Sequence, residues 1–116
     1  MQYPMSFPYK RIYKESLSSL NSFPFIITAM FTPDDLHYYR CADRLAASCE
    51  KYQLPFVVYE VPHIHRSVSR KGNSDLSFTK ANCIFFNMRR FSGKDILYLD
   101  VDLSSAIAKG LYSIHR

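Results

Sequence analysis

The chain has 116 residues, which at roughly 100 to 200 residues per domain fits a single domain. Fifteen Lys and Arg against ten Asp and Glu give a net charge of +5, and 47% of the residues are hydrophobic and 16% aromatic, a composition that excludes disorder, collagen and coiled coil. The longest mainly apolar stretch, Phe23 to Phe31, contains a proline and falls far short of the roughly 20 residues that cross a bilayer, so no membrane span is expected.

Basic residues at Lys10, Arg11 and Lys14 precede no apolar segment with a small-residue cleavage site, so the first 22 residues do not read as a secretory signal and a cytoplasmic location is expected. Residues 1–22 carry Pro4, Pro8 and several serines, and read as an extended arm ending in a short helical turn around Tyr13 to Leu20. From Phe25 to Phe31 the chain is continuously apolar apart from Thr28, and rich in aromatic and β-branched residues. That is the pattern of a strand buried on both faces of a parallel sheet.

Thr32, Pro33, Asp34 and Asp35 then read as a helix start, with Thr32 as N-cap, Pro33 in the first turn and two acids at the positive end of the macrodipole. The helix is expected over about 34 to 52, with Tyr38, Ala42, Leu45, Cys49 and Tyr52 on its core stripe. Phe56 to Val61 follows as a second strand, so the segment forms a βαβ unit. Residues 62 to 78 read as a loop holding Arg66, Arg70 and Lys71. A second helix is expected over 79 to 90, ended by Ser92 and Gly93, and a third buried strand over Ile96 to Leu99.

These elements predict an α/β domain: a small, mostly parallel, three-stranded sheet with flanking helices. An open sheet edge would favour a homodimer. The three cysteines, Cys41, Cys49 and Cys83, form no CxxC pair and read as buried thiols. A dispersed +5 charge suits anionic partners without selecting one, and with no RNP-type motif no nucleic acid is expected.

The third strand delivers Asp100-Val101-Asp102 at its carboxyl end, where ligands of open parallel sheets collect. Two carboxylates two residues apart in extended backbone point the same way. They can share a divalent cation, and the cation can hold a diphosphate. Other candidates are thinner. His63 and His65 alternate but have no third ligand near in sequence, and the penultimate His115 stands alone. Asp100-Val-Asp102-Leu-Ser104 also looks like the nucleophile motif of haloacid-dehalogenase-type phosphatases, although that motif should open its fold rather than follow three strands. No P-loop, G-x-G-x-x-G or G-x-S-x-G is present.

Taken with its context, the D-x-D strand Ile96-Leu-Tyr-Leu-Asp-Val-Asp102 resembles that of GT-A-fold nucleotide-diphospho-sugar glycosyltransferases. The run from Phe25 through Tyr39, the segment Ala42 to Phe56, and Phe78-Thr-Lys80-Ala-Asn82 with Ile84 are similar to the opening of that family, so the resemblance spans about residues 23 to 103. It implies a Rossmann-like N-terminal half of a GT-A fold, preceded by the arm 1–22 and followed by a tail, 104–116. It also implies that Asp100 and Asp102 hold Mn or Mg on the diphosphate of a nucleotide sugar, that Thr28, Phe31 and Thr32 line the nucleotide pocket, and that Lys80 either approaches the phosphates or holds the loop. Arg70 and Lys71 would close over the diphosphate or stay solvated. The family continues well past the D-x-D, so the resemblance further implies a chain truncated after the donor-binding half, with a second chain as one way to complete it. The function expected is therefore a glycosyltransferase or its donor-binding half. The alternative is a non-catalytic nucleotide-binding or protein-interaction module.

Overall fold

The computed structural model describes residues 11–33, 35–61, 74–101 and 110, with 74–79 described by backbone alone. In chain order the elements are β1 (Arg11–Ser16), a 3-10 turn (Leu20–Ser22), β2 (Phe25–Phe31), α1 (Leu36–Lys51), β3 (Phe56–Glu60), α2 (Ser74–Arg90) and β4 (Asp95–Tyr98). The four strands form one mixed sheet in the order β1-β3-β2-β4, with β2 parallel to both β3 and β4 and β1 antiparallel on the outside of β3.

All seven residues of β2 are buried, as its unbroken apolar sequence requires. Because strand side chains alternate, Ile27, Ala29 and Phe31 pack with Ala42, Leu45 and Cys49 of α1, while Ile26 and Met30 pack on the opposite face with Cys83 of α2. The helices thus cover opposite faces. The chain passes from β2 through α1 to β3 on one side, then returns through α2 across β2 to β4 on the other. The strands stay parallel, but the direction in which the connections run across the sheet reverses at β2, and this is the topological switch point where a crevice opens at the carboxyl ends.

Three boundaries differ from the sequence expectation. The helix begins at Leu36, capped by Asp35, whose Oδ1 accepts the His37 N–H at 2.9 Å, so the cap is not Thr32. Asp35 has the extended backbone a cap needs and places its carboxylate against the free N–H groups of the first turn. At the other end, Leu54 N–H reaches Cys49 O at 2.8 Å and Gln53 N–H reaches Glu50 O at 3.1 Å, with Gln53 at φ 56°: a Schellman ending carried by a residue other than glycine. The second helix starts five residues earlier than expected, at Ser74.

The third difference is larger. The arm contributes β1, so the sheet has four strands, and its segment 11–16 is integral to the sheet. Pairing slips between Ile12 and Lys14, leaving Tyr13 as the extra residue of a bulge. The bulge turns both Tyr13 and Lys14 toward α1, where Tyr13 Oη donates to Asp43 Oδ1 at 2.8 Å and Lys14 Nζ lies 3.1 Å from the same oxygen. Beyond it, Glu15 faces the other side and pairs with Arg90 of α2 at 3.2 Å. A single edge strand therefore clamps both helices. Its irregular spacing hid it, because a bulge breaks the period of two by which a strand is recognised.

Buried polar groups fix α2 on the sheet. Tyr59 and Asn87 are both 0% exposed; Tyr59 Oη donates to Asn87 Oδ1 at 2.7 Å, and Asn87 Nδ2 donates to Cys83 O at 2.8 Å. Arg90 Nη1 in turn donates to Tyr59 Oη at 3.2 Å. Each of these groups would cost more unpaired than paired. Asn87→Leu breaks both hydrogen bonds and removes the acceptor that Asn87 gives the buried Tyr59 hydroxyl, so it should destabilise the protein by about 1 to 3 kcal/mol in urea unfolding, with Tyr59→Phe costing about 1 kcal/mol.

The bulge clamp has a pH signature. The Tyr13 phenol, then the Lys14 ammonium, hold the Asp43 carboxyl below its ordinary value of 3.8. A depressed folded-state value stabilises the fold above the unfolded value and loses that contribution as pH falls through the folded one. Wild type should exceed Asp43→Asn by less than about 1 kcal/mol at neutral pH, as for other exposed pairs, and the margin should shrink progressively as pH falls below the ordinary value of 3.8 in urea unfolding measured across pH.

Candidate functional site

A cleft of about 300 Å³ opens at the carboxyl ends of β2, β3 and β4. Met30, Phe31 and Thr32 reach it as β2 runs out, and Val61 does so one residue beyond β3. Tyr98 comes from the end of β4, with Asp100 and Val101 just after it; Tyr38 overhangs from the first turn of α1 and Lys80 from α2. The cleft therefore sits at the switch point created by the crossover over β2.

Its two walls differ in chemistry. On one side Phe31 is held edge-on by Tyr13 and Tyr39, with ring centroids 5.1 and 5.0 Å away, so its position is set by packing rather than by the cleft. Tyr39 is fixed in turn by donating to Glu60, whose other oxygen takes Arg11 at 2.9 Å. On the other side Lys80 Nζ lies 3.5 Å from Asp100 Oδ1 and 6.0 Å from the centre of the Tyr98 ring. Burial, with the Cys83 thiol and the Asp100 carboxylate nearby, raises the Tyr98 phenol above its ordinary value, so it remains a neutral donor. An apolar, aromatic wall thus faces a polar one that carries both signs of charge.

Of the expected site residues, Phe31, Thr32, Lys80 and Asp100 meet in this cleft. Thr28 does not line it. It is fully buried one layer below the mouth, its hydroxyl 3.5 Å from Leu97 O, and Leu99 N–H reaches its carbonyl at 2.9 Å, so it stitches β2 to β4. Asp102, the loop with His63, His65, Arg70 and Lys71, and His115 lie outside the described residues. Among the described residues no three of His, Cys, Asp and Glu cluster as a metal set.

Tyr38 was expected in the helix core and is instead 39% exposed at the cleft mouth. The periodicity that put it on the stripe of Ala42 and Leu45 is right. At the first turn of α1, however, the face that packs on the core lower down lines the cleft instead. Tyr98 and Val61 were likewise passed over because strand ends carry no motif of their own. Their only signal in the sequence is position at a carboxyl end.

Comparison of the chain with protein-family models, with curated proteins and with solved structures returns no match. No helix among the described residues is long and apolar enough to cross a membrane.

None of the cysteines lines the cleft. All three are free and buried, and burial pushes the Cys49 and Cys83 thiols up to about 12. In the native protein at pH 8, a disulfide-exchange reagent such as DTNB should leave Cys49 and Cys83 unmodified. Both should react at once in denaturant, as read by mass spectrometry of the labelled peptides.

Proposed function

We propose that the cleft binds a nucleotide-diphosphate sugar, with Asp100 and Asp102 taking Mn or Mg on the diphosphate, and that the chain acts as a glycosyltransferase of the GT-A type or as its Rossmann-like donor-binding half. The observation that supports this most is the pairing of walls at the switch point: Phe31 and Tyr38 opposite Lys80 and Asp100. A nucleotide diphosphate is itself two-sided, with a flat base and a doubly charged phosphate chain.

On this reading Tyr38, exposed at the mouth, offers its ring to the base, and the buried Phe31, locked by Tyr13 and Tyr39, forms a rigid apolar floor beneath it. The Thr32 hydroxyl can donate and accept, as a ribose requires. Lys80 brings a compact positive charge for a phosphate. Asp100 suits a divalent cation: its carboxylate is a hard oxygen ligand, it is 51% exposed and so able to turn, and Mg-type sites commonly use one or two carboxylates with the remaining positions filled by water and phosphate. When bound, such a cation would neutralise charge on the departing diphosphate.

Calorimetry with a nucleoside diphosphate should show binding on the order of millimolar, or about 4 kcal/mol, in Mn or Mg, and EDTA should weaken it about tenfold or more. Asp100→Asn and Asp102→Asn should each weaken it about tenfold, or 1.4 kcal/mol. Asp95→Asn at the opposite end of β4 and Asp75→Asn should leave it within about twofold. Binding that ignores EDTA and the substitutions of Asp100 and Asp102 contradicts the metal assignment. Incubation with labelled nucleotide sugars and Mn then separates the two readings, since hydrolysis or transfer marks an enzyme and binding without turnover marks a non-catalytic module.

A further inference from the structure

Lys80 and Asp100 reach the cleft from different elements, and in the structure each is the other's charged partner at 3.5 Å. Both side chains are partly exposed, at 38% and 51%, so neither is trapped and either can change partner at small cost. The same two groups are the ones a metal-bound diphosphate would need. A divalent cation on the Asp100 carboxylate would face the Lys80 ammonium at close range, a like-charge contact that weakens cation binding. A phosphate approaching Lys80 would meet the Asp100 carboxylate, a like-charge contact of the opposite sign. Either ligand alone is thus opposed by one member of the pair, and both together are opposed by neither.

We propose that the Lys80–Asp100 ion pair is an exchangeable lock on the cleft: a phosphate draws the ammonium away from Asp100 and so frees the carboxylate for the cation, which makes anion and cation enter cooperatively. The cation arm rests on the function proposed above. The anion arm does not, because it concerns only competition between a phosphate and Asp100 for one ammonium.

The lock predicts that one substitution has opposite effects under two conditions. Asp100→Asn releases Lys80, so inorganic pyrophosphate in EDTA should bind the variant about two- to fivefold more tightly than wild type, the size an exposed ion pair carries. In the presence of Mn the same variant has lost a ligand and should bind pyrophosphate more weakly than wild type. Lys80→Met should bind Mn alone about two- to fivefold more tightly, read by the EPR signal of the free ion, and pyrophosphate more weakly with or without Mn. Both side chains are partly solvated, and circular dichroism of each variant checks that the fold is kept.

The outcomes separate the lock from the reading beneath it. Tighter metal-free pyrophosphate binding by Asp100→Asn supports the anion arm of the lock even where Mn adds nothing to wild type, a result that would remove the metal assignment and the cation arm with it. Mn-dependent binding in wild type, with metal-free pyrophosphate binding unchanged or weakened by Asp100→Asn and Mn binding unchanged by Lys80→Met, overturns the lock and leaves the metal assignment standing.

Discussion

The central strand β2 has no solvent face, and the remaining architecture follows from that constraint. Seven consecutive buried residues require a layer on each side, and each fully buried Ile is worth about 1.5 to 3 kcal/mol, so a single helix could not satisfy the strand. The chain meets the requirement by sending α1 along one face and α2 along the other. Crossing between faces forces β3 and β4 to opposite sides of β2, and two connections leaving in opposite directions open a crevice between them. The cleft is thus a geometric consequence of burying Phe25 to Phe31, before any of its side chains is considered.

What lines the cleft is set by where each element ends. Thr28 shares a face with Met30 but sits deeper, so it bonds to β4 while Met30 reaches the mouth. The network of Tyr59, Asn87 and Arg90 fixes the rotation of α2, which determines that Lys80, nearly two turns before Asn87, looks toward Asp100. The bulged strand β1 does the corresponding work for Phe31, by turning Tyr13 inward against its ring. Groups far from the cleft therefore place both of its walls.

Much of this was legible in the sequence because it depends on local pattern. The unbroken apolar run of β2, the stripe of Ala42, Leu45 and Cys49, and the strand that leads into Asp100 all announce themselves through periodicity or its absence. The buried state of the three cysteines also followed from their setting. What escaped was non-local or irregular. Arg11 to Ser16 does not alternate, since its bulge puts Tyr13 and Lys14 on one side, and its identity as a strand depends on β3 being there to pair with. Asp35 caps α1 where Thr32 has the same chemistry three residues earlier, and the choice between them turns on how far β2 extends. Tyr38 has the spacing of a core residue and the location of a site residue, and only the placement of its turn at the cleft mouth decides between them.

Paramagnetic broadening tests whether the cleft at the switch point holds a metal-bound nucleoside diphosphate, as we propose. With a nucleoside diphosphate present, trace Mn should broaden the backbone amide signals of Thr32, Lys80, Tyr98 and Val101 first. Ser18, Ser19 and Ser22, at the opposite end of the sheet, should stay sharp. Broadening centred on those serines, or spread evenly over exposed carboxylates such as Glu50 and Asp95, would contradict it.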